Sequence, residues 1–435
     1  MKKILFFAAT AMLFAACTND EVKTPQVAEA PQAVAFDIYT ANATRAGQPG
    51  VMTTTTLQTT GFGVFAFQTD NANYDGSVAP NFMWNQHVTY AAPGWTYTPL
   101  KYWPNETIDD VATSNGASSI TTGEVDKVSF FAYAPWVDMK TTGALNVTGI
   151  FEGTTQVGIT GVSANDYTGN PRVGYTVASK PTNSVDLLWG VAPTGNLTYT
   201  DVHNVSVTTD QGKPFLNLTK PSKDQKIKFL FNHALARIGL KVVAAVDQVA
   251  PGGTLQEGGN TYTKIVIKEI NIKATNAKDK GTLVLNNITP GKSRWIDAGG
   301  SALTLSLTSD AASEMVDALK WVDDGAGSFA KTGVTTAEQD VIAGGNYFMV
   351  IPTQADETFT VEIKYVVITK DDAVSGGYVV TENKIKKDIT ITDFTNNKAY
   401  NLKLVLGMTS VKLDAEVADW QVDGSIDVDL PKNKE

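Results

Sequence analysis

Short runs of alternating apolar and polar residues dominate the chain. In "AVAFDIYTANATRAG" (33–47), Val34, Phe36 and Ile38 alternate with small or polar residues, which is the period of a half-buried strand. Similar strand-like runs follow at 61–67, 87–97, 127–133 and 185–190, then at 226–231, 236–246, 264–274, 281–285, 346–352, 359–368 and 399–406. Pro93-Gly94 between "HVTY" and "WTY" predicts a hairpin turn, because both residues punctuate strands. Ile265, Ile267, Ile270 and Ile272 favour one face, as do Val361, Ile363, Tyr365 and Val367. One stretch departs from this pattern. Residues 309–322 carry helical spacing, with Met315, Leu319 and Val322 on one side after a Ser or Asp cap. The pattern predicts an all-β chain of two tandem antiparallel β-sandwich domains with few short helices. Charge and proline concentrate at 218–226, so the halves are expected to divide there, as 46–220 and 221–410.

The N-terminus carries a different signal. Lys2 and Lys3 precede an apolar run, Ile4 to Ala16, that is too short to span a bilayer and reads as a secretion signal over 1–16. It ends Leu13-Phe14-Ala15-Ala16-Cys17, which resembles a bacterial lipobox whose cysteine is acylated. Cys17 is the only cysteine, so a chain processed there has no thiol left for disulfides once Cys17 is acylated. Lipid, not a transmembrane helix, would then hold it to a membrane. The polar Thr18-Asn19-Asp20-Glu21 and the Pro/Ala/Glu-rich residues up to Pro31 read as a tether, so 17–45 is tether plus first strand. Acidic residues just after the lipidated cysteine also resemble surface-export signals of some Gram-negative lipoproteins.

Composition narrows the function classes. The net charge is −10 with 18% charged residues, and no basic patch of the kind nucleic acids need is visible. No G-x-S-x-G and no Cys nucleophile occur, and His87, His203 and His233 lie far apart with none in an H-E-x-x-H frame. "GFGVFA" (61–66) matches a dinucleotide fingerprint formally, but apolar residues run straight through it and no helix follows. "DNANYDG" (70–76) has Ala and Tyr where a calcium loop places ligands. No catalytic, metal or cofactor site is expected. Trp84, Tyr90, Trp95, Tyr97, Tyr102 and Trp103 form an aromatic cluster whose default role is packing, with stacking on sugars as the alternative.

Six motifs in order carry a family resemblance: "PLKYWP" (99–104), "FFAYAP" (130–135), "DLLWG" (186–190), "FLFNHALARI" (229–238), "YFMVIP" (347–352) and "AEVADW" (415–420). With the lipobox and a following arginine, they make the chain similar to the fimbrillins, the type V pilins of anaerobic gut and oral bacteria. The resemblance implies transthyretin-like sandwich domains and an outer-membrane lipoprotein precursor. It also implies an arginine-specific protease that cuts after the first strand, here at Arg45–Ala46. Loss of the strand centred on Val34, Phe36 and Ile38 would open a groove for a neighbouring subunit's C-terminal segment.

The C-terminus offers such a segment within 411–435. Val411, Leu413, Ala415 and Val417 alternate, followed by Trp420 and Val422, and then by Ile426, Val428 and Leu430. The run 411–417 reads first as an ordinary last strand, and 420–430 as the donated one. A polar stub follows it, which makes a stalk subunit of the extracellular fimbrium the expectation. A tip subunit, or a lipid-anchored adhesin or glycan-binding protein that never polymerises, is the alternative. Expected partners are neighbouring pilin subunits, the protease, the outer membrane through lipid, and a host or bacterial surface receptor.

Overall fold

The computed structural model describes residues 31–39, 52–104, 126–245, 263–407 and 411–419. Short stretches at 147–148, 194–197, 201–205, 209–211, 222–224, 287–288, 290–291 and 311–313 are excepted. The regular secondary structure of the described residues is nearly all strand. The first are β1 (Phe36–Ile38), β2 (Phe62–Gln68), β3 (Met83–Ala91), β4 (Gly94–Thr96) and β5 (Val128–Ala134), with a short helix α1 (Thr54–Thr60) before β2. Next come β6 (Ile150–Glu152), β7 (Thr155–Val162), β8 (Arg172–Thr176), β9 (Leu188–Val191), β10 (Thr198–Thr200), β11 (Ser206–Thr208), β12 (Phe215–Leu218) and β13 (Ile227–His233). Then follow β14 (Ala236–Ala244), β15 (Thr263–Lys278), β16 (Lys280–Val284), β17 (Arg294–Asp297) and β18 (Ala302–Thr308). A second helix, α2 (Gly325–Ala330), precedes β19 (Gln339–Asp340), β20 (Phe348–Val350), β21 (Ala355–Lys370), β22 (Tyr378–Phe394), β23 (Lys398–Leu406) and β24 (Val411–Asp419).

The first sheet runs β1-β13-β9-β5-β2-β3-β4, with β12 also on β5. Its central strands lack clean alternation because both of their faces are covered. In β2, Phe62, Val64 and Ala66 enter one core while Phe65 and Phe67 enter another, and in β5, Phe130 and Ala132 oppose Phe131 and Tyr133. The first of these cores is small and holds Val34, Phe36 and Ile38 with Leu57, Tyr97, Trp103, Ile227 and Phe229. Gly190 of β9 is required there, since a Cβ would stand 2.8 Å from both Ala132 Cβ and the Phe229 ring. The expected hairpin forms as β3–β4, with Ala91 paired to Gly94.

The second half builds a sandwich. One sheet is β19-β14-β23-β24, with β20 also on β14, and the facing sheet is β18-β15-β21-β22. Ile238, Leu240 and Val242 of β14 and Tyr400, Leu402 and Leu404 of β23 share a core with β15 and β21. Ile265 and Ile267 reach that core, and so do Ile270 and Ile272, although the parity has changed between the pairs. A bulge between Ile267 and Glu269 makes this work: the extra residue resets which side chains face inward. Around the expected boundary at 218–226, β12 and β13 both lie in the first sheet, and the chain passes into the second sandwich between His233 and Ala236. A further sheet, β17-β16-β8-β7-β6, joins strands from both halves. Among the described strands, two pairings, β1 with β13 and β14 with β23, are parallel rather than antiparallel.

The helix expected over 309–322 does not form among the described residues; Asp317–Leu319 makes a single 3-10 turn. Backbone groups there have tertiary partners instead of i−4 carbonyls. Met315 pairs with Ile342, Val316 N–H donates to Val341 O, and Trp321 N–H donates to Ile267 O. Met315 and Leu319 are buried, but Val322 is exposed.

Candidate functional site

β1 is a three-residue strand set into a slot. Val34 and Phe36 are 1% exposed and Ile38 is 5% exposed. On one side the strand runs parallel to β13, with Phe36 opposite Ile227, Asp37 opposite Lys228 and Ile38 opposite Phe229. Ile227 N–H donates to Ala35 O at 2.8 Å, and Tyr39 N–H donates to Phe229 O at 2.9 Å. On the other side Ala33 bridges Tyr102, Val34 N–H donates to Lys101 O, and Trp103 N–H donates to Gln32 O, both at 2.9 Å. The segment 32–39 is therefore paired with β13 through 35–39 and with 101–103 through 32–34, and its removal leaves backbone donors and acceptors open on two walls.

Aromatic rings line the floor and walls. The Phe36 ring lies 5.4 Å from Tyr97, 5.9 Å from Phe130, 6.1 Å from Phe229 and 6.3 Å from Phe62. Tyr97 Oη donates to Val34 O at 2.8 Å and accepts from Lys101 N–H at 3.3 Å. Burial pushes the Tyr97 phenol up to about 12, so it stays a neutral donor at neutral pH. The opposite face of β1 is polar. Asp37 faces Lys226 at 3.8 Å, and Lys228 Nζ sits 4.4 Å over the Tyr39 ring. Burial and then Asp37 raise the Tyr39 phenol above its usual value.

The chain leaves the slot at Tyr39 and is described again from Met52, whose N–H donates to Asp186 Oδ2 at 2.9 Å. The same oxygen lies 2.7 Å from His233 Nδ1 at the end of β13. Asp186 is 1% exposed, and its Oδ1 has no hydrogen-bond partner among the described residues. This buried pair ties the segment that follows Arg45 to the strand that β1 pairs with. His233 is thus a strand-end residue with a structural partner.

Val34, Phe36 and Ile38 are brought together as expected. Cys17, Arg45, Ala46, Trp420, Val422, Ile426, Val428 and Leu430 lie outside the described residues. β24, the run containing 411–417, pairs antiparallel with β23 along its whole length, from Leu406 opposite Val411 to Lys398 opposite Asp419. The sequence reading missed the slot's walls. Tyr97 and Trp103 carry the packing role expected of the aromatic cluster, but nothing in the sequence ties them to β1, and Lys226 and Lys228 carry no signal beyond alternation in "KIKFLF". Four of the quoted motifs surround the slot: 99–104 forms one wall, 130–135 the floor, 186–190 the neighbouring strand and 229–238 part of the other wall. Of the remaining aromatics, Trp84 donates to Ser163 O, and Tyr102 is 47% exposed. His87 stacks on Trp136 at 3.7 Å, and burial lowers its imidazole pKa. Among the described residues no three His, Cys, Asp or Glu side chains are placed to hold a metal.

No protein-family model matches the chain. It is 24% identical over 452 residues to fimbrium subunit Fim1C of Phocaeicola vulgatus, covering 99% of this chain and all of that protein. The fold matches that of a fimbrial protein from Bacteroides vulgatus with a TM-score of 0.56 and 20% identity, over 89% of this chain and 99% of that one. The full-length similarity to a fimbrium subunit and the β architecture shared with a fimbrial protein support the chain's resemblance to the fimbrillins.

Proposed function

We propose that the chain is a structural pilin subunit of cell-surface fimbriae that polymerises by exchange of β1. It is exported as a precursor anchored through lipid on Cys17 to the outer membrane. An arginine-specific protease cuts Arg45–Ala46, β1 leaves, and the C-terminal segment of a neighbouring subunit takes its place. The chain acts in the stalk, as a non-enzymatic component, and a host or bacterial receptor is a further partner of the assembled fimbrium. The full-length similarity to a fimbrium subunit supports the surface setting.

The observation that carries the reading is the slot itself: the segment 32–39, paired with β13 through 35–39 and with 101–103 through 32–34, has inward side chains that complete a core. Burial of Val34, Phe36 and Ile38 contributes about 5–9 kcal/mol. While the chain is intact, the tether keeps β1 at a high effective concentration, so the slot stays filled. A cut after β1 converts that contact into an ordinary bimolecular one, and dilution then favours any segment that is itself tethered or locally abundant. An open slot with unpaired edges accepts an extended segment by β-augmentation.

The test uses purified precursor treated with an arginine-specific protease and run unheated on a denaturing gel. The expected result is a ladder of oligomers that disappears on deleting 420–435. Arg45→Lys is expected to block both cleavage and the ladder, since a pocket that grips a guanidinium bidentately does not accept an ammonium. Cleavage at Arg45 that yields only monomer refutes the stalk reading and favours a tip subunit or adhesin.

A further inference from the structure

We propose that Asp186 is a positioning residue that keeps helix α1 seated on the slot when β1 comes out, so that the loss of order stops at β1. Its purpose rests on the strand-exchange reading above, which needs an emptied slot to keep its shape. α1 stands directly in the path of that loss. Its one buried side chain, Leu57, packs in the same small core as Val34, Phe36 and Ile38. The helix has seven residues, five of them threonine, a poor helix former, and so short a helix does not hold by itself in water. Its own support is local. Thr53 and Thr56 form a capping box, and the Leu57 and Gly61 N–H groups donate to Thr53 O and Leu57 O, both at 2.8 Å. Emptying the slot takes away part of the core around Leu57 and leaves only these contacts within the helix.

Asp186 supplies a hold from outside. It lies two residues before β9, and its Oδ2 accepts from the N–H of Met52, the residue just before the Thr53 cap, at 2.9 Å. The same oxygen is 2.7 Å from Nδ1 of His233, which ends β13 opposite Leu188 of β9. None of these groups belongs to β1. The carboxylate thus joins the start of α1 to two strands that remain when β1 departs, and that departure removes neither partner. The surroundings give a second reason. A carboxylate that is 1% exposed is costly to bury, and here Oδ1 has no hydrogen-bond partner among the described residues. Packing alone would favour an apolar side chain at this position, so the half-satisfied carboxylate is retained for the contacts that Oδ2 makes.

The test is amide-resolved hydrogen exchange on the uncut full-length chain, with β1 loosened by Phe36→Ala. In Phe36→Ala alone, the Leu57 and Gly61 amides are expected to stay within about threefold of wild type while Ile227 and Trp103 accelerate. Adding Asp186→Leu, which keeps a branched side chain and removes the acceptor, is expected to accelerate Leu57 and Gly61 by about tenfold or more. Asp186→Leu alone is expected to do less, because β1 still completes the core around Leu57. Asp186→Asn with Phe36→Ala retains one acceptor oxygen and is expected to fall between. Ala245 in the second sandwich is the control and is expected to be unchanged throughout. Acceleration of Leu57 and Gly61 in Phe36→Ala alone overturns the proposal, since the loss then spreads past Asp186. Protection of both amides in the Asp186→Leu double variant overturns it too. So does acceleration at Ala245 with Asp186→Leu, which would make Asp186 a contributor to global stability only. Should Asp186→Leu fail to fold, the Asp186→Asn double variant carries the comparison, and exchange equal to Phe36→Ala alone overturns the proposal. Because every measurement uses uncut protein, a missing oligomer ladder overturns strand exchange without altering these outcomes.

Discussion

Replacing Phe36 with alanine tests whether β1 is a separable unit of the fold. The ring is 1% exposed and lies within 5.4–6.3 Å of four other rings, so truncation removes its burial and leaves a cavity among rigid neighbours. A change of this type costs about 3–5 kcal/mol. If β1 opens by itself, the cost appears as faster hydrogen exchange at the amides that β1 protects, by roughly 200- to 5,000-fold. Ile227 and Trp103 are the reporters, since their N–H groups donate to Ala35 O and Gln32 O. Ala234, which donates to Leu187 O in the same sheet, and Ala245, which donates to Leu406 O in the second sandwich, are the controls. The expected result, measured on uncut Phe36→Ala protein by amide-resolved exchange, is acceleration at Ile227 and Trp103 with the controls unchanged. Equal acceleration at Ala245 refutes the reasoning, because β1 would then open only with the whole molecule. So does a change below threefold at the reporters.

Tyr97→Phe removes the hydroxyl that donates to Val34 O, which costs about 1 kcal/mol, and the same two amides are expected to exchange about fivefold faster. Glu357 is fully buried and accepts from the N–H groups of Thr275, Asn276 and Ala277 at 2.8, 2.9 and 3.0 Å. Glu357→Ala leaves these donors unsatisfied and is expected to destabilise the second sandwich by about 3 kcal/mol or more, read as a lower urea midpoint; a loss under about 1 kcal/mol counts against it. Partial burial pushes the Glu152 carboxyl up, but hydrogen bonds from Ser179, Asn183 and Lys180 outweigh this and leave it below its usual 4.5. Its stabilisation is therefore full above that value and is lost as pH falls through the lower folded-state pKa. The urea-midpoint difference between wild type and Glu152→Gln should shrink between about pH 5 and pH 3, and a flat difference refutes the assignment.

The all-β character was legible in the sequence because alternation with period two is a local property, written into each strand by the two faces it presents. Val34, Phe36 and Ile38 announce their burial in that way. The same rule fails at 309–322, where helical spacing is present but Val341, Ile342 and Ile267 capture the backbone in extended pairing. It also fails in β15, where the alternation slips between Ile267 and Ile270 and a bulge keeps both halves inward. β2 and β5 show a third limit, since strands buried on both faces carry no polar positions to mark their orientation.

By itself the sequence determined the all-β character, many of the strands, the apolar triad at Val34, Phe36 and Ile38 and its separation from the next element by the stretch containing Arg45, since these depend only on residue type and spacing along the chain. The tertiary structure decided that β1 pairs in parallel with a strand some two hundred residues later, that Tyr97 and Trp103 form part of its enclosure, and that Lys226 and Lys228 flank its polar face. Partners so distant in sequence leave no periodic trace in either segment, because hydrogen bonding between strands is made by the backbone and is blind to side-chain identity.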